Sequence, residues 1–294
     1  MNNSRIAAIV VTYEPSEGVS TLLSSLSDQV DTIIIIDNNS VNFEMESSPH
    51  THFMKLNKNE GIASAQNHGI MLAEKLGHDF VIFFDQDSIV PKGMICDLLK
   101  NYINIQERGV KLAAVGPIFQ DYRFKFIYPQ IKLDGKGVRT RITPENNSPP
   151  FEVSFIISSG SLMNLEVLKK IGLMKSEYFI DYVDTEWCMR AAHEGYKIYS
   201  IPTSRMDHAI GDDNIVFLKY KLPVHSPWRR YYRMRNMYYL FKLPYVPILM
   251  KLREFVINNA HQLLLIIFSP GKRVSYLKYW FKSQIDGLKI LFYS

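Results

Sequence analysis

The sequence predicts an α/β fold, a central and mostly parallel sheet flanked by helices, with a helical extension at its carboxyl end. Three observations carry this. Short apolar runs alternate with helical stretches through the first third of the 294 residues, as parallel βαβ units require. One of these runs, Phe80-Val-Ile-Phe-Phe84, ends in two carboxylates, Asp85 and Asp87. Beyond Pro223 the alternation stops and long helical patterns replace it.

The elements follow in order. Ile6–Thr12 reads as a first strand; its apolar run is too short for a signal peptide and is interrupted by Thr12, Tyr13 and Glu14. Ser20–Leu26 belongs to a helix, Thr32–Asp37 is a second strand, His52–Leu56 a third and Ala63–Leu76 a helix. Phe80–Phe84, apolar at every position, reads as a strand buried on both faces. Lys111–Gly116 and Phe151–Ile157 are expected strands, Asp134–Pro150 a surface loop, and Tyr199–Pro202 strand-like. The expected division is a body at residues 1–222 and an extension at 223–294.

Charge separates the two parts. The net charge is +5, yet from Lys219 onward there are 14 Lys/Arg against two acids, leaving the first 218 residues with 20 Lys/Arg and 27 Asp/Glu. A basic tail rich in Leu, Ile, Phe, Tyr and Trp points to an anionic membrane surface rather than to nucleic acid. In Val246–Phe268 the polar residues Lys251, Glu254, Asn258 and His261 recur at helical spacing. After the break Ser269-Pro270-Gly271, the residues Val274, Leu277, Phe281, Ile285, Leu288 and Phe292 form a second stripe. Neither segment has the roughly 18–20 uninterrupted apolar residues of a spanning helix. Helices lying in the interface are expected, with packing on the core as the alternative. Two cysteines, Cys96 and Cys188, imply no disulfide framework and favour a reducing compartment. Self-association into a homo-oligomer is left open.

Burying an unpaired carboxylate is costly, so Asp85 and Asp87 at a strand's carboxyl end imply a cation or donors there, at the edge where open α/β sheets bind ligands. Asp37-Asn38-Asn39-Ser40 ends the second strand, where an Asp can accept from a nucleobase or ribose; a plain Asx turn is the alternative. No Gly-x-Gly-x-x-Gly and no Gly-Lys-Ser/Thr loop occurs, against dinucleotide and P-loop folds. Asn67 lies on the apolar face of its helix, and His68 reads as a solvated helix residue. Asp181-Tyr-Val-Asp184-Thr-Glu186-Trp187 is a second acidic cluster, suited to a general base and its supports. His208 is a candidate third ligand to an Asp-bound ion. Trp228-Arg-Arg-Tyr-Tyr-Arg-Met-Arg235-Asn236 offers guanidinium groups for phosphate, or a solvated basic helix.

Together, VVTYEP, IDNNS, NEGIASAQNHGI, FFDQDS, DYVDTEW, HAIG and RRYYRMRN, in that order from Val10 to Asn236, resemble family 2 glycosyltransferases of the GT-A fold. The likeness is to bacterial rhamnosyltransferases of O-antigen and capsule assembly. That resemblance implies a nucleotide-sugar-binding and catalytic body in residues 1–222. On it, Thr12, Tyr13, Glu14, Asp37, Asn39, Asn67 and Asp85 face the nucleotide. Asp87, Asp85 and His208 face Mg²⁺ or Mn²⁺, and Asp184 is the general base. Asp181, Glu186, Trp187, Arg235 and Asn236 are its supports or acceptor contacts, with Trp187 a wall for the sugar. Val183 departs from the family, standing where many relatives carry an acid, so Asp181 and Glu186 remain alternatives to Asp184. The implied donor is dTDP-β-L-rhamnose, with another nucleotide sugar as the alternative. The implied acceptor is an oligosaccharide on undecaprenyl diphosphate, at the cytoplasmic face of the cell membrane. A haloacid-dehalogenase-type phosphatase would put Asp-x-Asp near the N-terminus, and a sugar nucleotidyltransferase would carry a Gly-rich basic loop there. A non-catalytic membrane-recruited module would leave glycan synthesis intact in an Asp184→Asn strain.

Overall fold

A computed structural model describes residues 4–16, 18–121, 126–145, 148–207, 213–217 and 220–293. The chain divides into two compact units. The first comprises Met1–Lys132, Thr140–Phe179 and Val183–His208; the second comprises Leu133–Arg139, Ile180–Tyr182 and Ala209–Ser294. The division expected at residue 222 falls inside a hairpin of the second unit.

The first unit is built on β1 (Ile6–Thr12), β2 (Thr32–Asp37), β3 (Thr51–Lys55) and β4 (Phe80–Asp85), interleaved with α1 (Gly18–Leu26) and α2 (Gly61–Lys75). These four strands run parallel in the order β3-β2-β1-β4. Every residue of β2 is buried, as are all but the last of β4, which is why these strands read as unbroken apolar runs rather than alternating ones. The sheet continues through β5 (Leu112–Asp121), which follows α3 (Met94–Glu107) and pairs at its far end with β6 (Phe126–Ile127).

Two expectations change here. The stretch read as a surface loop contains β8 (Arg139–Ile142), laddered with β7 (Gln130–Leu133). The strand expected over Phe151–Ile157 is only β9 (Phe151–Val153). β10 (Leu162–Asn164) inserts antiparallel between β4 and β5, so the sheet is mixed. It is three residues long, too short to show a period. After α4 (Leu165–Ile171) and α5 (Val183–His193), β11 (Lys197–Asp207) pairs parallel with β5 and closes the order β4-β10-β5-β11-β9.

The second unit holds the hairpin β12 (Asp213–Phe217) and β13 (Tyr220–Val224), then three helices: α6 (Pro227–Lys242), α7 (Ile248–Phe268) and α8 (Arg273–Tyr293). Polar side chains knit the helices together. Arg230 Nε donates to Gln262 Oε1 at 2.9 Å, Gln262 Nε2 to the Tyr276 carbonyl at 3.0 Å, and Tyr276 Oη to the His225 carbonyl at 2.9 Å. Lys251 is buried, with Nζ 2.7 Å from the Leu243 carbonyl, satisfying the carboxyl end of α6; burial lowers its pKa. Ile248, Leu249, Leu252, Val256, Leu263 and Ile267 of α7 are exposed, as are Val274, Phe281, Ile285, Leu288 and Phe292 of α8. No helix among the described residues is long and apolar enough to cross a membrane.

Candidate active site

Parallel register brings the strand ends together. Thr12 stands beside Asp37, and Val11 beside Asp85, so Asp37 and Asp85 flank β1 at the carboxyl edge of the sheet. Asp37 is fully buried. Its carboxylate accepts from Thr12 Oγ1 at 2.8 Å, Ser40 N at 2.7 Å and Ser40 Oγ at 2.6 Å, which is the Asx-turn alternative in full. Thr12 is equally buried. The exposed groups of this rim are Tyr13, Glu14 and Asn39. Glu14 and Asn39 hold left-handed backbone, at φ 43° and 65°, a conformation non-glycine residues keep only where the surroundings impose it. Glu14 N donates to Ser40 Oγ at 2.8 Å, and its carboxylate accepts from Val41 N at 3.1 Å, fastening the β1 and β2 loops together.

Asp85 is half-buried at the end of β4 and Asp87 is exposed beyond it. The turn between them is pinned from both sides. Ser88 N donates to the Asp85 carbonyl at 3.0 Å, and Ser88 Oγ meets Ser159 Oγ at 2.9 Å, both buried. Gln86 Oε1 accepts from Tyr13 N at 2.9 Å, holding the turn against β1. Two carboxylates one residue apart on a fixed turn form a hard-oxygen donor set of the kind Mg²⁺ and Mn²⁺ accept, usually completed by substrate phosphate. No group of three His, Cys, Asp or Glu able to hold a metal occurs among the described residues. His208, the expected third ligand, lies outside them. Its neighbour Asp207 bridges to Ile89, two residues past Asp87, and Asp207 Oδ1 is buried without a hydrogen-bond partner. Nothing in the spacing of the sequence announces Asp207.

Gly61 opens α2 at φ 82°, and a Cβ there would fall 2.5 Å from the Phe179 carbonyl. Ile62 N donates to that same carbonyl at 2.7 Å, so only glycine permits the approach. Asn38, read in the sequence only as part of the turn, accepts from Glu60 N at 3.1 Å, linking the β2 turn to this helix start. Asn67, expected at the nucleotide, has its amide taken up by backbone instead. Its amide takes Met174 N at 2.9 Å and gives to the Met174 carbonyl at 2.8 Å, and so clamps the chain ahead of Ser176. His68 pairs with Glu60 at 3.3 Å on the helix surface, as expected of a solvated residue.

The second acidic cluster separates by environment. Glu186 is fully buried and receives a bidentate pair from Arg190 at 3.0 and 2.9 Å, with Lys175 at 3.6 Å. Arg190 also donates to the Ile171 and Leu173 carbonyls at 2.7 and 2.8 Å. A carboxylate held this way braces the fold and cannot reach an acceptor. Trp187 is likewise fully buried, its Nε1 donating to the Gly172 carbonyl at 3.0 Å; it is core, not a wall for sugar. Cys188 is buried beside it, and burial raises its thiol pKa. Asp184 differs. It is half-buried in the first turn of α5, and its Oδ1 accepts from Thr185 N at 2.7 Å, which aims the carboxylate at the helix's positive end.

Asp181 belongs to the second unit. It lies between Arg233, at 3.3 Å, and Arg229, at 3.6 Å. Asp181 and Tyr182 are both left-handed, at φ 63° and 64°. Asn236, fully buried, holds that strain by donating to the Ile180 and Asp181 carbonyls at 2.7 and 3.1 Å. Asn236 is therefore a backbone clamp rather than an acceptor contact. Arg235 donates to Asn236 Oδ1 at 2.7 Å and lies 4.9 Å over the Tyr232 ring.

Comparison with known proteins gives the family and the fold. Residues 7–172 match the family model described as glycosyl transferase family 2. The chain is 37% identical over 292 residues to dTDP-rhamnosyl transferase RfbF of Shigella flexneri, covering 98% of this chain and 96% of that one. Among solved structures it resembles GalNAc-T7 with UDP, GalNAc and Mn²⁺, at a TM-score of 0.57 and 16% identity, over 88% of this chain and 55% of that one. It also resembles S. aureus TarS 1-349 in complex with UDP-GlcNAc, at a TM-score of 0.54 and 15% identity, over 97% and 81%. These two likenesses are of fold.

Proposed function

The chain belongs to glycosyl transferase family 2, and from that premise we propose that it is an inverting enzyme moving L-rhamnose from dTDP-β-L-rhamnose to a lipid-linked oligosaccharide. It is a glycosyltransferase of mixed α/β fold with a mostly parallel sheet. The near full-length identity to a dTDP-rhamnosyl transferase carries the donor assignment. Another deoxyhexose nucleotide is the second reading.

On the donor side, Tyr13, Glu14 and Asn39 border the nucleotide. Asp37 meets the base by exchanging its Ser40 hydroxyl donor for a base imide N–H, one hydrogen bond for another. Asp85 and Asp87 would hold Mg²⁺ or Mn²⁺ at the donor side. Held there, such an ion would supply charge stabilisation to the departing nucleotide. His208, outside the described residues, is the proposed third ligand.

On the acceptor side, Asp184 takes the proton from the attacking hydroxyl. The observation that carries it is the fate of the alternatives: Glu186 is sealed by Arg190, and Asp181 is held by Arg229 and Arg233. The exposed apolar stripes of α7 and α8, in a basic segment, support residence at the cytoplasmic face of a membrane, where an undecaprenyl-diphosphate-linked acceptor would lie. A thermal-shift screen of nucleotide sugars with and without divalent ion tests the donor half. Metal-dependent stabilisation by dTDP-rhamnose is expected; stabilisation by UDP-sugars alone would overturn the assignment.

A further inference from the structure

The second unit concentrates positive charge that its own acids do not balance. Arg229 and Arg233 of α6 flank the single carboxylate of Asp181, and Arg230 lies between them in sequence, bonded to Gln262 and the Asn258 carbonyl. The next acid, Glu254 of α7, is shared with Arg253 at 3.1 Å and with the Tyr182 hydroxyl at 2.8 Å. Four guanidinium groups thus face two carboxylates. Arg230 is 1% exposed, and its Nη1 has no hydrogen-bond partner; burial and the neighbouring Arg233 push its pKa down to about 10. Uncompensated cations in a partly desolvated site are costly unless an anion joins them.

The start of α6 adds a second observation. The helix begins with no side-chain cap and no acid in its first turn, while Arg229 and Arg230 crowd its positive end. Cations at a helix N-terminus oppose the dipole, whereas an anion there is favoured by it. Arg229 and Arg233 lie one turn apart on one face, with side chains 36% and 34% exposed. Asp181, only 8% exposed, pairs with both groups, which keep about a third of their side-chain surface open.

We propose that Arg229 and Arg233, at the start of α6, seat a diphosphate ester, with buried Arg230 adding charge from behind. This deepens the acceptor half of the reading above and rests on it only for the source of the diphosphate. The chemistry is that of guanidinium forks on phosphate oxygens. It is separate from the metal-dependent donor site, because it uses no carboxylate ligand and needs no divalent ion.

The test is calorimetric titration of the full chain in EDTA, which disables metal-dependent donor binding. The probes are inorganic pyrophosphate and geranyl diphosphate. Wild type binds both with one-to-one stoichiometry. Arg229→Gln binds about tenfold more weakly, the loss expected for one charge-assisted contact, while Arg229→Lys falls between and Asp87→Asn is unchanged. Tighter binding of geranyl diphosphate than of pyrophosphate assigns the seat to a lipid headgroup, and equal binding assigns it to the diphosphate alone; both support the seat. No binding in EDTA overturns it, as does equal binding by a folded Arg229→Gln variant or loss of binding in Asp87→Asn. Should Arg229→Gln fail to fold, competition decides: excess dTDP with Mg²⁺ must leave pyrophosphate bound to wild type, and displacement overturns the proposal. Donor binding, measured separately with dTDP and Mg²⁺, stays intact in Arg229→Lys, so failure of the seat and failure of the donor assignment give different results.

Discussion

The strand-end carboxylates Asp85 and Asp87 and the carboxylates Asp181, Asp184 and Glu186 look alike in sequence, yet the fold treats them differently. The first pair is placed by backbone. β4 ends beside β1, and the Ser88–Ser159 contact fixes the turn that presents both acids. The second group is sorted by guanidinium partners, with Glu186 going to Arg190 and Asp181 to Arg229 and Arg233. Asp184, half-buried at the start of α5, is the proposed base. Strand-end acids are placed by local pattern, then, whereas helix-start acids are sorted by which arginine reaches them.

The sharpest way to break this contrast is to exchange the roles within the second group. Asp184→Asn should lower kcat by about 10³-fold, within the range attributed to a general base, with an unchanged melting temperature and retained donor binding. Glu186→Gln should do the reverse. Removing one partner of a buried ion pair costs about 3 kcal/mol, read as a clear loss in a denaturant melt, while the folded fraction keeps its kcat. A stable, inactive Glu186→Gln would move the base.

A smaller effect is expected at the strand end. Asp87→Asn should weaken metal-dependent donor binding roughly tenfold, about 1.4 kcal/mol, and leave the metal-free binding of nucleotide alone unchanged. Identical metal titrations for variant and wild type would remove Asp87 from the ion's ligand set.

The smallest effect belongs to an ordinary surface pair. Asp286 of α8 is bonded to Lys282 and to the Tyr231 hydroxyl, and these hold its carboxyl below the usual range. Its contribution is therefore complete above the unfolded value near 3.8 and is lost as pH falls through the lower folded value. Asp286→Asn should cost only about 0.5 kcal/mol at neutral pH, and the difference from wild type should vanish in acid. A difference that persists in acid would mean packing, not charge.

Much of this was legible in the sequence, for identifiable reasons. β1, β2 and β4 are buried on both faces, so their apolar runs are continuous, and Asp37 and Asp85 fall at their ends by simple counting. β10 was not legible, because its three residues take their place from β4 and β5. Nor were the roles of Asn67 and Asn236. Each looks polar and available along the chain, yet each is consumed by backbone 107 and about 55 residues away. Trp187 misled in the same way: an aromatic beside acids suggests a sugar platform, but its indole is bonded inward to Gly172. Partnership at long range is what spacing does not encode.

The proposed division between a donor-holding strand end and a proton-accepting helix start is tested most directly by dTDP release. Purified chain would be mixed with dTDP-rhamnose, Mg²⁺ and a lipid-linked oligosaccharide, alongside Asp184→Asn with its donor binding verified by thermal shift. Acceptor-dependent dTDP release by wild type, absent in a variant that still binds donor, is the predicted result. Undiminished release by Asp184→Asn, or none from wild type with any acceptor, would contradict it.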